Sequence, residues 1–272
     1  MPELPEVETT RRGLAPLING RRIRRIAVHN PALRQQVERD ALPVLENRLF
    51  TMPARRGKYL WLHTDHAQHS LLVHLGMSGS LRVNSADTPR KPHDHIEIFL
   101  DNASVLRLHD PRRFGLFALC DPTHPPAYLQ KLGAEPLDAD FTSAYLWQQL
   151  RGRSSTIKTR LMDQSVVVGV GNIYASEALF LAGIDPRRAA RTLTPADAAR
   201  LVDAVKTVLA RAIAAGGTTL RDFLHSDGQP GYFQQTLNVY GQAGQPCPHC
   251  RAPLASAVIG GRSSVFCENC QK

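Results

Sequence analysis

Apolar residues fall on one helical face at Val7, Leu14, Leu17 and Ile18, and Gly20 supplies a stop. The pattern predicts a helix that begins almost at the first residue and is anchored by its apolar face. A segment that ordinarily frays is thereby held still. From 23 to 119 the runs become short and β-rich. Examples are Tyr59-Leu60-Trp61-Leu62, Ser70-Leu71-Leu72-Val73-His74-Leu75, His95-Ile96-Glu97-Ile98-Phe99-Leu100 and Leu116-Phe117-Ala118-Leu119, parted by turn signals such as Asp101-Asn102. Such spacing predicts an antiparallel sandwich or barrel, with Trp61 in its core. Asp121-Pro122-Thr123-His124-Pro125-Pro126 breaks the pattern and places a domain boundary near 121–136. Beyond it the chain reads as helical. Thr194 caps and Pro195 opens one helix, whose stripe of Leu201, Val202, Val205, Val208, Leu209, Ala212 and Ile213 ends at Gly216-Gly217.

At 272 residues the chain has length for about two domains. Lys and Arg number 33 against 24 Asp and Glu, a formal charge of +9 that points to a polyanionic partner. No apolar run approaches the roughly 20 residues of a membrane span, and the start lacks the basic and apolar regions of a signal peptide. These features lead to the expectation of a cytoplasmic protein. The cysteines change the picture further. Cys247-Pro-His-Cys250 is followed by sixteen residues and then Cys267-Glu-Asn-Cys270. Two such knuckles suit tetrahedral thiolate coordination of one structural zinc ion rather than disulfides. A stretch so short and poor in apolar residues needs the metal as its local core. Four thiolates close the site, so His249 is not expected to be a ligand, and the remaining Cys120 reads as a buried free thiol.

The first six residues, Met1-Pro2-Glu3-Leu4-Pro5-Glu6, carry the most distinctive chemistry. Pro2 is small enough for Met1 to be removed, which leaves a secondary amine able to attack an aldehyde-like carbon, with the Glu3 carboxylate beside it. A terminal amine of pKa ~7.7–8.0 is neutral in roughly a tenth of molecules at pH 7, against about one in a few thousand for a lysine at ~10.4. The same stretch also fits a plain helix start with Pro5 in the first turn.

Other stretches have two readings when taken singly. Gly169-Val170-Gly171-Asn172, ahead of a helical 173–181, is either a tight turn or a turn whose N–H groups and Asn172 side chain face a phosphate. Asp110-Pro111-Arg112-Arg113-Phe114-Gly115 and His74-Leu75-Gly76-Met77-Ser78-Gly79 are glycine-bounded turns at strand ends. Arginine beside an aromatic, with a methionine available, has the chemistry of a wedge that fills a gap in a base stack; core Met and Phe with solvated Arg is the alternative. Lys58 and the run Arg21, Arg22, Arg24 and Arg25 read alone as solvated charges. Arg262, between the cysteine pairs, stands at the tip of a metal-held hairpin.

In this order and combination these stretches closely resemble the bacterial formamidopyrimidine-DNA glycosylases, over essentially the whole chain. The residues that carry the resemblance are Met1-Pro-Glu-Leu-Pro-Glu-Val-Glu8, Gly57-Lys58-Tyr59-Leu60, His74-Leu-Gly-Met-Ser-Gly79, His93-Asp-His95, Asp110-Pro-Arg-Arg-Phe-Gly115, Val168-Gly-Val-Gly-Asn-Ile-Tyr-Ala-Ser-Glu177, Gly216-Gly-Thr-Thr-Leu220, Pro230-Gly-Tyr-Phe233 and the four cysteines. The resemblance implies a multidomain α+β fold. Its parts are an N-terminal β-sandwich flanked by helices (1–130), a helix-two-turns-helix domain (131–236) and a zinc finger (237–272). It implies a monomer that acts on double-stranded DNA containing oxidised purines or abasic sites, and that associates with the nucleoid through DNA.

By the same resemblance, Pro2 is the nucleophile on the sugar C1′ and Glu3 the general acid/base. Lys58 serves proton transfer in β-elimination and phosphate binding, and Arg262 serves δ-elimination and phosphate binding. His93, Arg112 and Arg153 match DNA-binding positions, and Lys158 and Asn172 match further phosphate contacts. Met77, Arg112 and Phe114 match the trio that fills the gap left by an extruded nucleotide. Residues 218–233 match the lesion-facing loop. Two departures stand out: Arg151-Gly-Arg153 where several relatives are lysine-rich, and Val265 where relatives often carry an aromatic.

Two other readings compete. The sister endonuclease VIII family runs the same chemistry on oxidised pyrimidines, but the Glu-Leu-Pro start and the 110–115 turn favour the purine enzyme. A non-catalytic zinc-dependent DNA-binding module would account for charge and cysteines alone, but has no need of Pro2, Glu3 and Lys58 in one chain.

Overall fold

The structure is a computed structural model that describes residues 2–217 and 237–272. The loop expected at 218–233 lies outside the described residues. Packing gathers residues up to Gln130, with Gly216 and Gly217, into one compact unit, and Lys131–Ala215 with 237–272 into another.

The first unit opens with helix α1 (Leu4–Ile18). Leu4, Val7, Leu14 and Ile18 are buried on one face, whereas Leu17 is 41% exposed. This corrects the expected stripe: Leu17 sits about 100° around the helix from Ile18 and so leaves the buried face. Strands β1 (Ile23–Val28), β2 (Ala54–Arg56), β3 (Tyr59–Leu62), β4 (Ser70–His74), β5 (Ser80–Ser85), β6 (Asp94–Leu100), β7 (Ser104–His109) and β8 (Leu116–Cys120) follow. They form two antiparallel four-stranded sheets, ordered β1-β6-β7-β5 and β2-β3-β4-β8. Residues of both sheets and of α1 share one apolar cluster, the core of a sandwich with a helix against it. Trp61 is buried, as expected.

Strand β1 is a sheet edge, and Arg24 and Arg25 on it are exposed, with the Arg25 guanidinium 4.4 Å from the Phe99 ring centre. Charge along an edge strand discourages pairing with another chain. Cys120 is a free thiol, but half-buried rather than enclosed, because it ends β8.

The short helix α2 (Ala127–Gln130) closes the first unit. In the second, α3 (Ser143–Leu150) and α4 (Ile157–Leu161) are capped by the Thr142 and Thr156 side chains. Helix α5 (Asn172–Leu181) follows the glycine-rich turn and is buried almost all round. Helix α6 (Pro195–Ala214) starts as predicted: Thr194 accepts from the Asp197 N–H, and Asp197 accepts from the Thr194 N–H. The seven residues of its predicted stripe are all buried. Strands β9 (Ala255–Ile259) and β10 (Arg262–Phe266) form a hairpin between the cysteine pairs. Phe180 of α5 packs into the small apolar cluster around Cys247, Leu254, Val265 and Cys267, so the hairpin region shares a core with the helices.

Candidate active site

Pro2 and Glu3 precede α1 and are both buried. Pro5 occupies the first turn, where a missing N–H costs nothing, and the Glu6 carboxylate accepts the Glu3 N–H at 2.8 Å. The helix start is therefore fixed by its own capping as well as by the buried Leu4 and Val7. One turn on, Glu8 receives Arg11 at 2.8 Å, Arg12 at 2.8 Å and Arg55 at 3.2 Å. Burial pushes the Glu8 carboxyl up, but the hydrogen bonds from Arg11 and Arg12 and the nearby charges outweigh it and hold it at about 2.

Lys58 stands in the tight turn between β2 and β3 and is 7% exposed, not the solvated lysine that the residue alone suggests. Its charge is felt at His74 on the neighbouring strand β4, where Tyr59 pairs with His74. Burial first, then Lys58 and Arg34, lower the His74 pKa to about 4. The imidazole is thus neutral near pH 7, and its Nδ1 accepts the Gly76 N–H at 2.9 Å.

Met77 and the pair Arg112 and Phe114 lie on two adjacent turns of this unit. Phe114 is 46% exposed and Arg112 stacks over it at 4.9 Å, an exposed aromatic–cation pair rather than core packing. His93 is exposed, with φ at +72°, and its carbonyl accepts the Asp110 N–H at 3.0 Å. The reading from residues alone missed Asp110, which is fully buried and bonds to both turns. Its signal was an acidic residue opening a glycine-bounded turn.

In the second unit Arg153 is exposed in the loop after α3, and Arg262 is exposed where β10 begins. Lys158 is enclosed. It has no exposed surface, and its ammonium donates to Ser264 Oγ at 2.6 Å, which ties α4 to β10. Asn172 gives a side-chain amide N–H to the Ser263 carbonyl at 3.0 Å. Both residues support the strand that begins with Arg262. The glycine-rich turn is held by Gln164, which accepts the Gly169 N–H at 2.8 Å and donates to the Val170 carbonyl at 2.9 Å. Sequence reading also missed Glu177. Its buried carboxylate accepts the N–H groups of Asn238, Val239 and Tyr240, each at 2.9 Å, and the Asn238 side chain at the same distance.

The four thiol sulfurs of Cys247, Cys250, Cys267 and Cys270 lie within 4.8 Å of one another. Cys247 and Cys270 are 3.9 Å apart and Cys250 and Cys267 3.4 Å. Zinc–sulfur bonds of about 2.3 Å at the tetrahedral angle put sulfurs about 3.8 Å apart, so this donor set fits one structural zinc ion. His249 turns away onto the Phe180 ring, 4.8 Å between centres, in keeping with its exclusion as a ligand.

Three family models cover the chain in order: the formamidopyrimidine-DNA glycosylase N-terminal domain over residues 1–117, the formamidopyrimidine-DNA glycosylase H2TH domain over 132–224, and the zinc finger found in FPG and IleRS over 244–272. A formamidopyrimidine-DNA glycosylase of Stenotrophomonas maltophilia is 53% identical over 274 residues, all of both chains. The solved MutM (Fpg) protein of Thermus thermophilus is 40% identical, covers 99% of this chain and 98% of its own, and superposes with a TM-score of 0.89. The Lactococcus lactis Fpg, solved in a complex with Fapy-dG containing DNA, is 33% identical over 99% of this chain and 100% of its own, with a TM-score of 0.91.

Proposed function

The chain belongs to the formamidopyrimidine-DNA glycosylase family and is a DNA glycosylase of base excision repair, and from that premise we propose that it excises oxidised purines by covalent attack of the Pro2 amine and then cuts the strand. The observation that carries this reading is Pro2-Glu3, buried and held at the start of a capped helix in a chain that matches the family from end to end.

The proposed reaction begins with Met1 removed. The neutral Pro2 nitrogen donates its lone pair to the sugar C1′ of an extruded 8-oxoguanine or formamidopyrimidine nucleotide. The glycosidic bond breaks and its electron pair leaves with the base, which Glu3 assists by moving a proton. Loss of the amine proton and opening of the sugar ring give a cationic iminium at C1′. That cation is an electron sink, so it acidifies the C2′ proton. Removal of this proton expels the 3′ phosphate as the β-elimination, with Lys58 as the proton-transfer group and a clamp on the backbone. A second elimination removes the C4′ proton and expels the 5′ phosphate, whose charge the Arg262 guanidinium holds, and hydrolysis of the iminium releases the unsaturated sugar remnant and returns the free amine. An activated water attacking C1′ in place of Pro2 would leave the strand intact.

Duplex DNA is the proposed partner, in keeping with the Lactococcus lactis relative on Fapy-dG DNA and with the +9 charge. His93, Arg112, Arg153 and Arg262 are the proposed DNA contacts. Met77, Arg112 and Phe114 fill the stack where the nucleotide leaves, which offsets an extrusion cost of a few kcal/mol. Lys158 and Asn172 act by holding the Arg262 strand, to which they are bonded. The four cysteines would hold one structural zinc ion, which would fix that hairpin and supply no chemistry to the reaction. Among the described residues no helix is long and apolar enough to cross a membrane, and the nucleoid is the place where this substrate lies.

Borohydride reduction of the iminium tests the reading. The mature chain with 8-oxoguanine duplex should yield a covalent protein–DNA adduct, and Pro2→Gly should give far less. A mature wild type that forms no adduct would refute the amine mechanism. Oxidised-pyrimidine duplex run in parallel separates the endonuclease VIII alternative.

A further inference from the structure

Two turns of the first unit cross from one sheet to the other side by side. Residues 75–79 leave β4 and enter β5, and residues 110–115 leave β7 and enter β8. Strand β4 pairs with β8, with His74 opposite Leu116, and β5 pairs with β7, with Ser80 opposite His109. The turns therefore start and end on paired strands and are pressed together. A Cβ on Gly76, whose φ is +64°, would lie 2.4 Å from the Phe114 carbonyl carbon. One on Gly115 would lie 2.9 Å from Asp110 Oδ2 and 3.1 Å from the His74 carbonyl oxygen. No side chain fits between the two backbones.

One buried carboxylate fastens them. Asp110, 0% exposed, accepts the Ser78 hydroxyl at Oδ1 (3.0 Å) and the Gly115 N–H at Oδ2 (2.8 Å). Ser78 Oγ in turn accepts the Arg112 N–H at 3.3 Å. The Asp110 backbone extends the frame: its N–H donates to the His93 carbonyl at 3.0 Å, and its own carbonyl accepts from His95 Nε2 at 2.9 Å and from the Arg113 N–H at 3.1 Å. Met77 is next to Ser78, and Arg112 and Phe114 fall between the two ends of the Asp110 clasp.

We propose that Asp110, acting through Ser78, is a positioning residue that makes Met77, Arg112 and Phe114 one preorganised wedge and sets His93 on the same frame. The inference rests on the reading above that these three side chains fill the stack. Separate turns would each have to be ordered as they entered the duplex, and a locked pair enters already ordered. A hydrogen bond to a buried carboxylate is the strong kind, and removing the Ser78 hydroxyl leaves Oδ1 without that donor.

The test separates opening the duplex from the chemistry that follows. Extrusion is read by stopped-flow fluorescence of 2-aminopurine placed next to 8-oxoguanine in a duplex. Chemistry is read by borohydride trapping on a single-stranded abasic oligonucleotide, which has no stack to open. Ser78→Ala and Asp110→Asn should each slow extrusion roughly tenfold, the scale of one lost hydrogen bond to a charged group, and leave single-strand trapping within about twofold. Added to Met77→Ala, Ser78→Ala should cost less than it does alone, because both act on one wedge. Unchanged extrusion in Ser78→Ala, when Met77→Ala does slow it, overturns the positioning role alone. Equal loss of extrusion and trapping also overturns it, since that is damage to the whole unit. If Met77→Ala itself leaves extrusion unchanged, the wedge reading fails and the proposal with it.

Discussion

Arg55 joins Glu8 to the turn that carries Lys58: its Nε donates to Glu8 Oε2 at 3.2 Å and its Nη1 to the Gly57 carbonyl at 3.1 Å. Helix α1, which begins next to Pro2 and Glu3, is thereby bonded to the residue before Lys58. One guanidinium thus bonds both to the helix that follows the proposed nucleophile and to the turn that carries the proposed proton-transfer group.

Glu8→Gln should cost about 1–3 kcal/mol at pH 7, the range for a buried hydrogen bond to a charged group left unmade. The pH dependence follows from the sign of the shift. Glu8 is held at about 2, below its ordinary 4.5, so its contribution is complete above pH 4.5 and drains as pH falls towards 2. Urea unfolding of wild type and variant should show a gap that is constant from pH 5 to 7 and narrows below 4.5. A gap that persists unchanged at pH 2.5 contradicts the assignment.

His74 gives a second pH signature. Its folded-state value of about 4 lies below the ordinary 6.5, first through burial and then through Lys58 and Arg34. Between these values the unfolded chain binds the proton and the folded chain does not. Stability from this group is therefore full above pH 6.5 and is lost as pH falls towards 4. Imidazole NMR at pH 5.5 should show His74 neutral, and His74→Asn should flatten the stability curve across that window.

Much of this was legible in the sequence because it is local or periodic. The capped helix from Pro195, the strands around Trp61 and the two cysteine knuckles each depend on spacing alone, and each is in place. Residues that act through distant partners were not legible. Lys158 and Ser264 are 106 positions apart, and nothing in either segment announces that a lysine will be enclosed by a strand from the cysteine region. Glu177 and Asp110 present the same difficulty, since a carboxylate that organises N–H groups looks in sequence like any surface acid. Glu97, the one acid in the run 95–100, is likewise buried, with Arg107 at 2.8 Å and His29 at 2.7 Å.

Metal removal should act on the second unit first. The chain should release one zinc equivalent when its thiols are titrated with a mercurial, and Cys250→Ser should lower that stoichiometry. Because the β9–β10 hairpin is joined to the helices by the Phe180 cluster and by Lys158–Ser264, it should loosen rather than detach. Hydrogen exchange is expected to quicken across β9 and β10 while the sandwich amides of β4 and β6 keep their protection. Equal loss of protection in both places would mean that the metal supports the whole fold.

DNA affinity should fall steeply with salt. If four to six phosphates are neutralised, the slope of log K against log salt is about −4 to −5 on B-DNA. Arg153→Ala should reduce the slope by roughly one. For Lys158→Met the expectation differs, because the ammonium is enclosed on Ser264: affinity should fall through a displaced Arg262 strand. Lys158→Met combined with Arg262→Ala should then cost less than the sum of the two. Full additivity would return Lys158 to a separate role.

The last prediction concerns the amine itself. Pro2 is buried, and the Glu3 N–H that follows it is bonded to Glu6, so the start of the chain has little room to rearrange. A chain that keeps Met1, or carries an N-terminal tag, has an amide at Pro2 where the reaction needs a lone pair. An amide nitrogen is not nucleophilic, and its carbonyl partner would occupy the place of the sugar carbon. Such a chain retains Arg112, Phe114 and Arg262 and should still bind 8-oxoguanine duplex within about tenfold of the mature form, since the groups that grip DNA are untouched. It should give no borohydride adduct and no strand cut. Mass spectrometry of the same sample before and after aminopeptidase treatment checks the link: trapped fraction should rise in proportion to the fraction of chains that begin with Pro2. Adduct formation by a chain with Met1 intact would move the nucleophile elsewhere, and Lys58, buried beside His74, would be the first residue to examine.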